Sequence, residues 1–455
     1  MEKKNISRRT FLKFMGASSA AALAAACAGK KPEESASLVE PPVGQMTYRT
    51  NSTTGDKVSL LGYGMMRLPT LPDSQEFDQE MINQQVDYAL EHGLNYFDTS
   101  PVYCRGLSER CTGIALKRHK REEFFVATKL SNFGDNSREA SMQMYRNSFS
   151  ELQVDYIDYY LLHSIGGGGM DAFSKRYIDN GMLDFLLEER RAGRIRNLGF
   201  SYHGDIEVFN YLLEHHDKYQ WNFVQIQLNY LDWTYADEMN KRNTDASYLY
   251  DELQKRAIPA VIMEPLLGGR LAKVPGYVVN EMKQRDPERS IASWAFRYAG
   301  TPEGVLTVLS GMTFMEHLKD NLLSYCPLVP LTEEEQRFLD THIAHQMMEM
   351  ETVPCNECQY CMPCPYGIDI PANFAHYNKW VIDNTLPKDA GDPDYRRNRR
   401  NYLISIDRAI PRERQPDHCI MCGHCTHTKH CPQNIKIPTE LKRIADLIEQ
   451  LKRDA

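Results

Sequence analysis

The chain has 455 residues, of which 42% are hydrophobic and 25% are charged, a composition typical of a large folded protein with a substantial core. Its formal net charge of −8 argues against a general nucleic-acid binder, which needs a cationic surface. There are 12 cysteines, and eight of them lie in two short runs near the end of the chain. That spacing is typical of metal binding and does not suit a disulfide framework.

The beginning of the chain has the layout of an export signal. Basic residues precede an apolar, alanine-rich stretch at 11–28, which is too short and too rich in small side chains for a comfortable transmembrane helix. The run from Ser7 to Lys13, SRRTFLK, resembles the twin-arginine signal. We therefore expect residues 1–28 to be a signal peptide and the protein to be exported, to the periplasm or another extracytoplasmic space.

Cys27 raises a second question about the same segment. Three alanines precede it, as at a lipoprotein site, but Leu23 lies four residues before the cysteine where such sites prefer three. Ordinary cleavage after Ala26 or Ala28 is the alternative, so we expect membrane attachment only if Cys27 is lipidated. Residues 29–50, where Pro, Glu and Ser are frequent, are predicted to form a flexible tether.

The body of the chain, residues 51–330, alternates short apolar runs with longer amphipathic ones. Eight such pairs predict a parallel sheet covered by helices and, at this length, an α/β protein with a closed (β/α)₈ TIM barrel. A doubly wound sheet is the rival, but its GxGxxG signature is missing after the first strand. The predicted strands are 58–61, 96–98, 124–128, 157–162, 195–199, 223–227, 260–263 and 305–309.

Four ionisable residues fall at the ends of predicted strands, where barrel enzymes carry their chemistry. Asp98 ends the second strand, Tyr103 lies in the loop after it, Lys129 ends the third and His163 ends the fourth. A carbonyl that accepts a hydride needs a proton, which a tyrosine can donate. A lysine ammonium held by an aspartate would lower the pKa of that tyrosine, and a histidine would orient the carbonyl. Singly each residue also suits a structural role, but the set indicates catalysis.

At these residues the chain resembles the aldo-keto reductase family, in the stretches FDTSPVY, ATKL, LLHS, LGFS, VQIQLNY and EPLLGGR. The resemblance runs from about residue 59 to 323 and implies a barrel that binds NADPH or NADH across its mouth. It also implies roles for individual residues. Those for catalysis are Asp98, Tyr103, Lys129 and His163, those for the nicotinamide amide are Ser201 and Gln225, and those for the adenosine and phosphates are Gly311, Glu316 and Asn321.

The chain departs from the family pattern at three places. Cys104 and Arg105 separate Tyr103 from the glycine that commonly follows it, and Met263 stands where many members carry an aromatic residue that stacks on nicotinamide. No Arg or Lys directly follows Gly311 to bind a 2′-phosphate. The choice between NADPH and NADH therefore stays open.

The last part of the chain, residues 331–455, is predicted to be a helical, ferredoxin-like iron–sulfur domain. Each of two runs has three close cysteines and ends in Cys-Pro, and CPYGIDIP matches CPQNIKIP in length. Structural zinc, the alternative, usually takes two well-separated CxxC pairs, so two [4Fe–4S] clusters fit better. The runs comprise Cys355, Cys358, Cys361 and Cys364, then Cys419, Cys422, Cys425 and Cys431.

The two runs resemble bacterial two-cluster ferredoxins, in which the fourth cysteine of each run serves the other cluster. The resemblance implies that Cys431 joins the first three cysteines of the first run and that Cys364 joins those of the second. The gap before the fourth cysteine differs, with two residues in the first run and five in the second where ferredoxins have three. The pairing therefore stays open.

Together these features predict an exported oxidoreductase that interconverts a small carbonyl compound and an alcohol with a nicotinamide hydride. The clusters would exchange electrons with a redox partner protein or a quinone-linked system. A hydride carries two electrons whereas a cluster passes one, and no flavin motif is visible to divide them. The alternative is an iron–sulfur electron-transfer protein whose barrel is a scaffold or binding module.

Overall fold

The computed structural model describes residues 39–72, 74–427, 431 and 433–454. The predicted signal peptide with Cys27, most of the predicted tether, and Pro432 lie outside the described residues. The described residues from 41 onward belong to one compact unit. Among the described helices, none combines the length and the apolar character needed to cross a membrane.

This unit begins with a two-stranded hairpin. Strand β1 (Tyr48–Thr50) pairs antiparallel with β2 (Lys57–Ser59). This corrects the predicted strand 58–61: the chain turns at Leu60, whose N–H donates to the carbonyl of Thr47, and the barrel begins only at the next residue. Asn51, in the hairpin loop, donates to the hydroxyl of Tyr159 at 3.4 Å. The hairpin thus covers the end of the barrel at which the strands begin.

Eight parallel strands close into a barrel, which confirms the predicted fold. Their residues are almost all buried because the interior is packed and helices cover the outside. The strands, in chain order, are β3 (Leu61–Gly64), β4 (Tyr96–Asp98), β5 (Phe125–Leu130), β6 (Ile157–Ile165), β7 (Ile195–Tyr202), β8 (Phe223–Gln227), β9 (Ala260–Met263) and β10 (Val305–Ser310).

At least one helix follows each barrel strand, and several of these helices begin with a side chain that accepts a backbone N–H of the first turn, as Asp78, Ser137 and Ser290 do. These helices are α1 (Gln79–Glu91), α2 (Ser108–Leu116), α3 (Arg138–Leu152), α4 (Met182–Arg191), α5 (Ile206–Glu214), α6 (Ala246–Gln254), α7 (Ile291–Gly300) and α8 (Met315–Tyr325). Shorter or additional helices lie at Gly169–Phe173, His216–Tyr219, Asp232–Met239 and Gly276–Arg285.

The inside of the barrel holds its own aromatic core. The rings of Tyr96 and Phe223 each lie with their centroids 5.0 Å from that of Tyr159, edge to face. These residues are separate from the larger core between the strands and the outer helices. Because the interior is filled, the rim where the strands end is the part of the barrel that can accommodate a substrate.

The tail contains a second hydrophobic core, from Val353 to Leu451, built mainly by α9 (Ile370–Ile382), α10 (Tyr395–Ala409) and α11 (Ile437–Arg453). The helical stretch before it, Glu333–Arg337 through Ala344–Met348, packs instead on the barrel. Its start is fixed by a capping box between Thr332 and Glu335. By hydrophobic packing, the boundary between barrel and tail therefore lies between Met350 and Val353, later than the predicted 330.

Candidate active site and iron–sulfur sites

A buried ion pair lies at the rim of the barrel. The ammonium of Lys129, on β5, donates to Oδ1 of Asp98 at 2.5 Å and to the carbonyl of Thr99 at 2.8 Å. The two side chains are only 1% and 4% exposed. Burial of two charges is expensive, so the attraction and the second hydrogen bond must offset the loss of hydration. The pair therefore fixes the position of the ammonium.

Tyr103 and His163 complete the set that the sequence predicts. Lys129 Nζ lies 5.0 Å from the centre of the Tyr103 ring, and the His163 ring lies edge-on to the same tyrosine, with centroids 5.8 Å apart. The structure thus brings the predicted catalytic residues, Asp98, Tyr103, Lys129 and His163, to one place on the rim. Their catalytic roles stay predictions.

The turn that carries Tyr103 is strained at the residues that depart from the family pattern. Cys104 and Arg105 adopt left-handed backbone angles, with φ of 51° and 57°. For residues other than glycine this costs roughly 1–2 kcal/mol each. The turn is held by local contacts: Cys104 Sγ lies 3.3 Å from the carbonyl of Met66, and the Arg105 guanidinium lies over the ring of Phe77. These contacts maintain the orientation of Tyr103.

His163 has a fixed orientation and a low basicity. Its Nδ1 lies 2.5 Å from the hydroxyl oxygen of Ser131 and 3.4 Å from that of Ser100. Burial lowers the pKa of His163 well below its ordinary value, and the charges of Lys129 and Arg176 lower it further. The imidazole is therefore neutral at physiological pH, with Nε2 as the nitrogen left for another partner.

The pKa of Tyr103 differs from our expectation. Burial raises it well above the ordinary value of a phenol, and Tyr360 and Asp98 are the next largest causes. We expected the Lys129 ammonium to lower this pKa. The pKa is raised overall, so that expectation is wrong. The ammonium is paired with Asp98, and its remaining attraction for a phenolate does not outweigh the cost of burial at Tyr103. Tyr103 is thus a protonated phenol at neutral pH, a proton donor and not a phenolate.

The residues expected to hold the nicotinamide amide lie side by side. Ser201 on β7 and Gln225 on β8 are register neighbours, and both are buried. Ser201 Oγ accepts the backbone N–H of Ser164 at 2.8 Å. Among the described residues, Gln225 Oε1 has no hydrogen-bond partner although it is buried. A buried acceptor of this kind calls for a ligand donor, so the residues present fit the carboxamide of a nicotinamide.

The residues expected to contact the adenosine and phosphates differ in their exposure. Gly311 and Glu316 are exposed, whereas Asn321 is buried and donates to Ser310 Oγ at 2.9 Å, a contact within the barrel. The side chain of Arg67 lies against Gly311, where an added Cβ would be 3.4 Å from Arg67 Cδ. Sequence reasoning overlooked Arg67, although it follows β3 closely, at the rim where anion-binding residues are expected.

The cysteines form two groups, and the fourth cysteine of each run lies in the group formed by the other run. Burial raises the pKa of the Cys361 thiol to about 12, and the neighbouring thiols that add to this are Cys358, Cys355 and Cys431. For Cys425 burial is again the largest cause of the raised pKa, and the thiols that add to it are Cys419, Cys364 and Cys422. The structure therefore places Cys431 with the first three cysteines and Cys364 with the later ones.

The second group also lines a cavity. Cys364, Cys419, Cys422 and Cys425 surround it, together with apolar side chains such as Ile368 and Leu441. Among the described residues, no His, Cys, Asp or Glu side chains are gathered closely enough to hold a single metal ion. Four soft thiolates arranged around a cavity are the donor set of a [4Fe–4S] cluster, so the residues fit that group.

The first cysteine run contacts the barrel rim directly. Asn356 Nδ2 donates to Glu264 Oε1 at 3.1 Å, and the Arg67 guanidinium donates to the Asn356 carbonyl. Sequence reasoning overlooked this contact. Its only signal in the sequence was the position of Glu264 directly after β9, at the start of EPLLGGR.

Comparison with known proteins agrees with the fold and the site. The chain matches the model of the aldo/keto reductase family over residues 60–344, more than half of its length. It matches a 4Fe-4S dicluster domain over residues 354–436. The protein belongs to the aldo/keto reductase family, whose members are NAD(P)-dependent oxidoreductases. Its tail is a 4Fe-4S dicluster domain.

Individual relatives cover the barrel. L-galactose dehydrogenase of Arabidopsis thaliana is 24% identical over 311 residues, 64% of this chain and 92% of the relative. The uncharacterized oxidoreductase YqkF of Bacillus subtilis is 25% identical over 327 residues, 65% of this chain and 96% of the relative. The solved holo form of aldo-keto reductase AKR11C1 from Bacillus halodurans shares the fold, with a TM-score of 0.51 and 24% identity, covering 67% of this chain and 96% of that protein.

Proposed function

We propose that this protein reduces a small carbonyl compound to an alcohol, or catalyses the reverse reaction, with hydride from NADPH or NADH. The proposal rests on one observation: Tyr103, His163 and the buried Lys129–Asp98 pair lie together at the rim of a packed barrel. Such a set provides a proton donor, an orienting group and a fixed positive charge.

The chain's own residues account for the proton and the orientation. When bound, the nicotinamide supplies the hydride to the carbonyl carbon. The Tyr103 hydroxyl donates its proton to the carbonyl oxygen, which completes the alcohol and leaves a phenolate. His163 Nε2 donates a hydrogen bond to the same oxygen, since Nδ1 is engaged by Ser131. The Lys129 ammonium stabilises the phenolate until solvent returns the proton.

Gln225 and Ser201 are proposed to hold the nicotinamide. The buried Gln225 Oε1 would accept a carboxamide N–H, and the Ser201 hydroxyl would donate to the carboxamide oxygen. Arg67, whose side chain lies beside Gly311, would provide a cation for a phosphate of the cofactor. These contacts do not depend on a 2′-phosphate, so both nucleotides remain candidates.

The iron–sulfur domain is proposed to serve as an electron relay. Cys355, Cys358, Cys361 and Cys431 would hold one cluster, and Cys364, Cys419, Cys422 and Cys425 the other. Each cluster supplies one-electron redox capacity. The relay would connect the enzyme to a redox partner protein or a quinone-linked system.

Export by the twin-arginine route remains part of the proposal. It is supported by the SRRTFLK stretch and the apolar run after it. The route carries folded proteins, which suits clusters inserted before export. Mass spectrometry of the mature N-terminus from a periplasmic or membrane fraction tests it. A mass that includes residues 1–26 would contradict export with cleavage, and a diacylglycerol on Cys27 would establish a membrane anchor.

The decisive experiment is an anaerobic titration of the purified protein with NADPH and then NADH. We expect quenched protein fluorescence on binding, followed by bleaching of the visible cluster absorbance. A protein that responds to neither nucleotide, while retaining its clusters, would favour the alternative of an electron-transfer protein with a scaffold barrel.

A further inference from the structure

The backbone that follows the first cysteine of the iron–sulfur domain is fastened to the barrel rim. Asn356, directly after Cys355, is only 4% exposed. Its Nδ2 donates to Glu264 Oε1 at 3.1 Å, and its carbonyl accepts from the Arg67 guanidinium. A buried amide paired in this way cannot move without leaving polar groups unsatisfied. The position of Asn356 relative to the barrel is therefore fixed.

The barrel side of this contact is also fixed. A Cβ added at Gly268 would lie 2.0 Å from Asn356 Cβ and 2.5 Å from its Cα, so the approach requires a glycine. Arg67 is held because its carbonyl accepts from Thr313 Oγ1 at 3.0 Å and its side chain lies against Gly311. The guanidinium thus reaches Asn356 from a defined place on the rim.

The peptide unit between Asn356 and Glu357 connects Arg67 to a cysteine sulfur. Its carbonyl accepts from Arg67, and its N–H, which belongs to Glu357, donates to Cys355 Sγ at 3.4 Å. Hydrogen bonds in such a chain polarise one another, so the guanidinium makes this N–H a stronger donor to the sulfur. Glu357 has a φ of 56°, an unfavourable conformation for a residue other than glycine, which the surrounding contacts maintain.

We propose that Arg67 is a positioning residue for the cluster held by Cys355 and raises the reduction potential of that cluster. Reduction adds one negative charge, which a nearby cation and an N–H donor to a ligand sulfur both stabilise. The second cysteine run has a different environment, with Cys422 and Ile420 exposed. The cluster held by Cys355 is therefore the barrel-side cluster, and the other is the solvent-side cluster. Neither carbonyl reduction nor a redox partner is needed for this effect.

The test is a redox titration of the purified holoprotein with dithionite, followed by low-temperature electron paramagnetic resonance. No nucleotide is added, so the proposed phosphate contact of Arg67 does not enter the measurement. Arg67→Met should lower the equilibrium constant for reduction of one cluster by about tenfold, the order of effect of one nearby charge. For a one-electron couple this is a shift of about 59 mV to lower potential. The other cluster should keep its potential.

Matched variants separate the charge from a purely structural role. Arg67→Lys keeps the positive charge and should restore most of the potential. Arg138→Met removes an arginine that also donates to a backbone carbonyl, that of Gly181 at 2.8 Å, and should leave both potentials unchanged. Cys355→Ser identifies the cluster concerned, because the potential that it shifts or abolishes must be the one that Arg67→Met lowers.

A second pair of variants moves the Asn356 carbonyl away from Arg67 without removing a charge. Gly268→Ala should displace Asn356 and lower the same potential. Gly269→Ala adds backbone strain without the clash, since nothing lies within 4 Å of its added Cβ, and should leave the potential unchanged. If Arg67→Met does not retain the iron content of the wild type, this pair decides.

A shift confined to the potential that Cys355→Ser affects, and restored by Arg67→Lys, would establish the role of Arg67. An unchanged potential in an iron-replete Arg67→Met protein would overturn the proposal, as would an equal shift of both clusters or a shift that Arg67→Lys does not reverse. Where the glycine pair decides, equal potentials in its two variants would overturn it. A protein with the expected potentials that reduces no carbonyl compound would refute the proposed function alone.

Discussion

The imidazole of His163 meets the ring of Tyr103 edge-on, at 82° and with centroids 5.8 Å apart, while its Nδ1 is engaged by Ser131. The two rings therefore lie in one region of the barrel rim, with Nε2 as the imidazole nitrogen left for another partner. Both groups are neutral at physiological pH for the same reason, because burial disfavours the charged form of each.

The first prediction concerns pH. Because burial lowers the pKa of His163 well below 6.5, we expect no change in kcat/KM from this imidazole between pH 6 and 8. Stability should respond at lower pH. The unfolded state takes up a proton near 6.5 and the folded state only far below, so the free energy of unfolding should fall as pH drops below 6.5. His163→Gln should weaken that fall, measured by denaturant unfolding at pH 7 and 5. An equal pH response in both proteins would contradict a buried neutral imidazole.

The second prediction concerns the buried ion pair. Lys129→Met leaves the Asp98 carboxylate buried without its partner, and we expect a loss of stability of about 3–5 kcal/mol. Adding Asp98→Asn removes the uncompensated charge, so the double variant should regain much of that stability without regaining turnover. Urea unfolding and carbonyl reduction are measured on the wild type, on each single variant (Lys129→Met and Asp98→Asn) and on the double variant. Turnover restored by the double variant would show that the ammonium is not needed for chemistry.

The third prediction concerns Glu109, a buried carboxyl on α2 that accepts from Thr128 Oγ1 at 2.5 Å. Burial raises its pKa from 4.5 to about 7. A carboxyl whose pKa is higher in the folded state than in the unfolded state stabilises the fold at pH values below its unfolded-state pKa. That stabilisation is lost as the pH rises through its folded-state pKa. The loss across pH 4.5 to 7 is at most about 3 kcal/mol.

Relative to the wild type, the Tm of Glu109→Gln should therefore increase as the pH rises from 5 to 8, whereas the Tm difference between Glu122→Gln, at an exposed site, and the wild type should not change with pH. Thermal unfolding at three pH values is sufficient. A Glu109→Gln profile that runs parallel to the wild-type profile would show that this carboxyl does not titrate in the window.

The fourth prediction concerns the exchanged cysteines. Cys358→Ser with Cys431→Ser removes two ligands from one group, so one cluster with about four irons should remain. Cys358→Ser with Cys364→Ser removes one ligand from each group and should damage both clusters. Iron analysis and low-temperature electron paramagnetic resonance separate the two cases. The reverse outcome would mean that each run holds its own cluster.

Much of the barrel could be predicted from sequence because its strands are continuous apolar runs, and three of them, β4, β8 and β9, have the predicted bounds. The first strand was misplaced because the apolar run around Leu60 spans a hairpin and a barrel strand, and hydrophobicity alone cannot locate the turn. The ends of the predicted strands also marked the candidate catalytic residues, and the fold brings these residues together: Asp98, Tyr103, Lys129 and His163.

Other parts of the site depend on contacts that no local pattern encodes. The pairing of Glu264 with Asn356 joins positions 92 residues apart, and the direction of the Tyr103 pKa follows from how deeply the phenol is buried. The exchange of Cys364 and Cys431 could be anticipated only from a resemblance, since the spacing alone was compatible with either pairing.

The measurement that tests the account most directly is single-turnover reduction of an aldehyde by Tyr103→Phe, with the NADPH affinity determined on the same protein. Loss of the proton donor should slow the chemical step by about 10²–10⁴-fold while the nucleotide Kd stays within about twofold. A Tyr103→Phe protein that reduces the aldehyde at the wild-type rate would contradict the assignment of Tyr103 as the proton donor, and with it the proposed mechanism.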